Sequence, residues 1–117
     1  MTRNLGQQTE RRILKKIGAR RQPGSGSLPG FPNDGVKNRY LLEVKSTQRG
    51  SLGLKREWLE TLEENAMVRG KIPALVIIFN DVPIGLRATT PRGYGLEDWV
   101  AIPMRDFERL TKGWEKS

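Results

Sequence analysis

The chain has 117 residues, 36% of them hydrophobic, which suits a single domain over residues 1–117 with one core. Its 21 Lys and Arg against 13 Asp and Glu give a net charge of +8, and the excess favours a polyanionic partner. Cys and His are both absent, which removes disulfides, thiol nucleophiles, zinc sites built on those ligands and Ser-His-Asp triads; any catalysis must rest on carboxylates, Lys, Ser, Tyr and a hard cation.

The positive charge is concentrated at the start of the chain, where Arg3, Arg11, Arg12, Lys15, Lys16, Arg20 and Arg21 face one acid, Glu10. Leu5, Ile13, Leu14 and Ile17 fall at helical spacing in this stretch, and Gly18 is placed to end the helix. From Gln22 to Gly35 the run QPGSGSLPGFPNDG is too rich in Pro and Gly for a helix or strand interior. It predicts a long loop, which in a small domain is usually functional or disordered. A strand over 39–45 follows, with Tyr40, Leu42 and Val44 on one face and Leu41, Glu43 and Lys45 on the other. LKREWLETLEENAMVRG then predicts an amphipathic helix carrying Leu54, Trp58, Leu62 and Ala66, with Leu59 beside them and Gly70 as its stop. ALVIIF, 74–79, is apolar on both faces, as a central buried strand should be. DWVAI, 98–102, reads as a last strand, and Pro103 opens a helix with Phe107 and Leu110 on its inner side.

This order predicts an α/β domain, a small central mixed sheet flanked by helices. Trp99, Phe107 and Trp114 are left over as interface anchors or as residues that close the monomer's own core. The longest apolar run is too short to cross a bilayer, and the chain starts without an apolar signal region, so a soluble, cytoplasmic protein with no membrane partner is expected.

The charged pair on the otherwise apolar strand carries the chemistry. Asp34 precedes it, giving D-x8-E-x-K from Asp34 through Glu43 to Lys45. If the chain reverses around Gly35 and Asn38, Asp34 and Glu43 converge, and with the Val44 carbonyl they form an all-oxygen site suited to Mg²⁺. Such an ion lowers the pKa of bound water and neutralises charge on a leaving oxygen. Lys45, about 6.6 Å along the strand from Glu43 on the same face, can contact the attacking water or the phosphate. The structural alternative is a same-face Glu–Lys pair on a solvated sheet, with Asp34 a turn residue ahead of Gly. Glu10 is either an i,i+4 partner of nearby lysines or, if its helix packs beside the site, a third carboxylate. The hydroxyls and amides of GSGS are phosphate ligands or simply part of a flexible loop.

Taken together, Glu10, PGSGS, Asp34, EVK and LKREWLETL…GKIPALVIIF resemble the PD-(D/E)XK nuclease superfamily, and more closely the archaeal-type Holliday junction resolvases with their phage-borne relatives. The resemblance covers roughly residues 3 to 80. It implies a restriction-endonuclease-like core and a homodimer that resolves four-way DNA junctions by paired nicks, using Mg²⁺ or Mn²⁺. By position the family's helix Glu falls on Glu10, its loop Ser on Ser25, its metal-binding acids on Asp34 and Glu43, and its lysine on Lys45. Its DNA-contacting arginines fall on Arg11 and Arg21, and the wider DNA-facing set is Arg3, Arg11, Arg20, Arg21, Ser25, Lys55 and Arg56. Two features depart from the pattern: Asn33 stands where a proline is expected, and the short segment from Glu10 to Arg21 predicts a truncated first strand. The competing functions are a related nuclease acting on ends, nicks or other branches, and a non-catalytic basic nucleic-acid-binding module. Binding alone would gain nothing from acids beside a basic face.

Overall fold

The computed structural model describes residues 5–21, 35–80 and 98–112. Helix α1 (Leu5–Lys16) leads into β1 (Arg20–Arg21), and β2 (Gly35–Lys37) and β3 (Tyr40–Thr47) form a hairpin. Helix α2 (Arg56–Val68) crosses to β4 (Ile72–Phe79), and β5 (Asp98–Ala101) precedes α3 (Met104–Thr111). The strands form one mixed sheet in chain order, antiparallel except for the parallel β3–β4 pair. The α/β architecture is thus the one the sequence pattern predicts. The first strand is described over Arg20–Arg21.

Local chemistry explains where the elements stop. Gly18 has φ +74° and Gly70 has φ +64°. Each helix closes with the same pair of bonds: Ala19 N–H donates to Leu14 O and Gly18 N–H to Lys15 O after α1, while Lys71 N–H donates to Ala66 O and Gly70 N–H to Met67 O after α2. This is the glycine-terminated helix end that satisfies the last carbonyls. Lys37 Nζ adds a bond to the Ile17 carbonyl, a cation at the negative end of α1. The β2–β3 hairpin turns on Asn38 and Arg39, with Asn38 at φ 53°, a conformation Asn tolerates. Strand β2 lies partly inside the stretch that composition marks as loop, because three residues are too few to show a period of two.

Alternation along β3 and β4 gives the sheet two apolar faces. On one, Leu42, Ala74, Val76 and Ile78 pack with Ile13 and Leu14 of α1. On the other, Leu41 and Leu75 pack with Val36 and with Leu62 and Ala66 of α2. Leu41, Leu75 and Ile78 are 0% exposed, and each such side chain contributes about 1.5–3 kcal/mol of transfer free energy.

The C-terminal helix corrects one expectation. Phe107 and Leu110 are not on an inner side; they are 54% and 59% exposed, and the buried residue of α3 is Asp106. In its first turn Arg105 pairs with Glu63 of α2, and Leu110 lines an open cavity with Leu42, Ala74 and Val76 of the sheet instead of packing against them. Leu54 likewise precedes α2 and is exposed, as is Leu59. The buried stripe of α2 is Leu62 and Ala66, with Trp58 half-buried beside them.

Gly35 is required by close approach. A Cβ there would lie 3.0 Å from Leu14 Cδ2 and 3.1 Å from the Arg20 carbonyl oxygen, whereas one at Gly53 would meet nothing within 4 Å. Gly35→Ala should therefore lower stability by about 1–3 kcal/mol, read as a lower urea midpoint. Gly53→Ala should leave that midpoint nearly unchanged.

Candidate active site at the margin of strand β3

The register of the hairpin decides how the charged residues are presented. Gly35 is opposite Leu42, and β2 begins at Gly35. From Glu43 to Thr47, β3 is paired with β4 on one side only among the described residues. The described β2–β3 ladder thus stops at Leu42, just before the charged residues of β3.

Backbone direction follows from the bonds at the two ends of the β3–β4 ladder. Ile72 N–H donates to Arg39 O and Asn80 N–H to Thr47 O. Carbonyls of alternate residues point to the same side of a strand, so the odd-numbered residues from 39 to 47 direct theirs at β4. The Val44 carbonyl therefore points away from β4, to the side of the strand on which Leu42 is paired with Gly35.

Glu43 and Lys45 share the face of Leu41, the one covered by α2. The ammonium of Lys45 sits 4.6 Å from the ring centroid of Trp58, in the first turns of α2, and Lys55 Nζ is 5.8 Å from the same ring. A cation over an indole gains about 0.5–2 kcal/mol depending on desolvation. Lys45 is therefore held by an aromatic ring rather than spread over a solvated sheet surface, and both it and Glu43 are half-buried.

Helix α1 covers the opposite face of the sheet. Glu10 precedes the buried Ile13 and Leu14 by three and four residues, which sets it on the sheet-facing side of the helix. It does not share the face of Glu43 and Lys45. Near this end of the helix, Asn80 Nδ2 donates to the buried Thr9 Oγ1 at 2.6 Å, tying α1 to the end of β4. A polar cleft of about 420 Å³ opens there, lined by Gly6, Ser46, Thr47, Gln48, Arg49 and Asn80. It lies beyond the carboxyl ends of the two parallel strands, a common location for ligands in α/β folds.

Of the predicted DNA-facing residues, Arg11 is half-buried on α1 and Arg20 is exposed on β1, while Lys55 and Arg56 are exposed at the start of α2. Arg56 pairs with Glu60 at 2.7 Å on the surface, a contact worth little to stability. Arg21 pairs with Gly35 through the backbone. Arg3, Ser25, Asp34 and Trp114 lie outside the described residues. Among the described residues no group of three acids, His or Cys is placed to hold a metal, and no helix is long and apolar enough to cross a membrane.

Sequence reasoning assigned Trp58 to the helix's apolar stripe and missed its contact with Lys45. The only local signal is Lys55 three residues before it; the partner thirteen residues away in β3 is visible only once the helix is folded over the strand. Comparison with protein-family models, curated proteins and solved structures yields no match for this chain.

Proposed function

We propose that the protein is a metal-dependent endodeoxyribonuclease with a restriction-endonuclease-like core, acting on four-way DNA junctions as a homodimer. The observation that carries this reading is the charged pair of β3, with Glu43 and Lys45 on one face and the Lys45 ammonium 4.6 Å from the Trp58 ring centroid. The Val44 carbonyl points away from β4, and Gly35, the covalent neighbour of Asp34, is opposite Leu42.

The donor set fits a hard divalent cation such as Mg²⁺, or Mn²⁺ in its place: the carboxylates of Asp34 and Glu43 and the Val44 carbonyl would hold it, with Glu10 acting from the α1 side, directly or through water. Such an ion supplies an acidified water and neutralises charge on the scissile phosphate. Lys45 keeps three N–H donors, with which it orients the attacking water or a phosphate oxygen. Ser25 contacts phosphate from the preceding loop, and Arg3, Arg11, Arg20, Arg21, Lys55 and Arg56 hold the duplex arms by charge. Opposed nicks require two such sites, hence two chains about a two-fold axis; the exposed Trp99 and Phe107 are suitable anchors for that contact.

The deciding experiment is Mg²⁺-dependent cleavage of a four-way junction beside a linear duplex. Asp34→Asn and Glu43→Gln should each abolish cleavage while junction binding persists, because losing a negative charge does not weaken phosphate contact. Lys45→Ala should also lose turnover. Cutting of the linear duplex as fast as the junction would replace the junction reading with an end- or nick-acting nuclease, and near-normal rates in either carboxylate variant would remove the site.

Binding should weaken with salt by a slope of about −0.9 per phosphate neutralised, and Arg11→Ala with Arg21→Ala should reduce that slope by roughly 1.8. An unchanged slope would put the DNA surface elsewhere. Light scattering of the metal-free protein should return twice the chain mass. A monomer that stays monomeric on the junction would refute the paired nicks.

A further inference from the structure

Trp58 engages Lys45 of the charged pair of β3 through its ring. It lies at the start of α2, half-buried against Leu41, Leu62, Ala66 and Leu75, so its body is fixed by the core while a ring face remains for Lys45. Among the described residues, no hydrogen bond or ion pair engages Lys45 Nζ. The contact with the ring, at 4.6 Å from its centroid, is what defines the position of the ammonium.

We infer that Trp58 is a positioning residue for Lys45, holding its ammonium over an aromatic face so that it is presented beside Glu43 with all three of its protons available. The inference rests on the nuclease reading above. The physical argument is a comparison of anchors. A lysine side chain has four rotatable bonds and loses considerable entropy when fixed. A carboxylate anchor would fix it but would occupy its donors and cancel its charge. An indole attracts the cation through its ring quadrupole and takes no hydrogen bond in the plane where a phosphate oxygen or water would approach. Lys55, 5.8 Å from the same ring, adds a second positive charge nearby. It disfavours any drift of Lys45 toward the outer side of α2 and strengthens the field that draws phosphate in. The ring thus fixes the base of a mobile catalytic cation without consuming what the cation has to offer.

The test uses the full-length chain with lysine labelled in carbon-13, four-way junctions of synthetic oligonucleotides, and Mg²⁺. In the unaltered protein the ε-CH₂ resonances of Lys45, assigned by Lys45→Ala, should be shifted upfield by the ring current, and Trp58→Leu should return them to ordinary lysine positions. Under saturating, single-turnover conditions Trp58→Leu should cut roughly three- to ten-fold more slowly while binding the junction within about two-fold of the unaltered protein. Trp58→Phe, which keeps a smaller ring, should recover most of that rate. It also keeps the test decisive if the Leu variant fails to fold: a rate in Trp58→Phe between those of the unaltered protein and Lys45→Ala, with binding intact, supports the inference. Lys45 resonances at ordinary positions in the unaltered protein would overturn it, as would a Leu variant that cuts at full speed or loses binding in step with rate. If the unaltered protein cuts no DNA, the inference falls together with the nuclease reading. A persisting ring-current shift would then locate the failure in the chemistry and not in the Lys45–Trp58 geometry.

Discussion

The parallel pairing of β3 with β4 is the constraint on which the remaining structure depends. Two parallel strands cannot be joined by a tight turn, so the chain must leave the sheet after Thr47 and return at Ile72, and α2 is the segment that does so. That crossover covers one face with Leu62 and Ala66, leaving the other to α1 with Ile13 and Leu14. A strand buried on both faces has to be apolar throughout, and β4 is: Ala74, Leu75, Val76 and Ile78 are all buried. Strand β4 is an interior strand, between β3 and β5.

Strand β3 meets the same demand only in its first half. Leu41 and Leu42 are buried, whereas Glu43 and Lys45 interrupt the apolar pattern just past the described pairing with β2. Burying a charged group without compensation costs several kcal/mol, and the fold limits that cost in two ways. Both residues stay half-buried rather than sealed in, and Trp58 supplies a ring for the ammonium.

The two helices cover opposite faces of the sheet, which divides the basic surface. Lys45, Lys55 and Arg56 belong to the α2 side, and Arg11, Arg12, Lys15 and Lys16 to α1. The short β1, with Arg20, carries the positive charge onto the outer edge of the sheet.

The sequence by itself determined the class of fold, because the patterns that report it are local: the 3.6-residue period of Leu62 and Ala66, the unbroken apolar run of β4, and glycines placed where helix carbonyls need a left-handed residue at Gly18 and Gly70. It also determined that Glu43 and Lys45 share a face, since alternation along an extended strand allows nothing else. Short and non-local features were beyond it. Strand β2 is too brief to show a period, and the exposure of Phe107 and Leu110 depends on how α3 sits against the rest of the fold. Only the tertiary structure decided that α1, with Glu10, lies across the sheet from Glu43, and that Trp58 comes to rest over Lys45. Those are consequences of which face each helix covers, and that choice is made by packing between segments far apart in the chain, where no periodicity within one segment can record it.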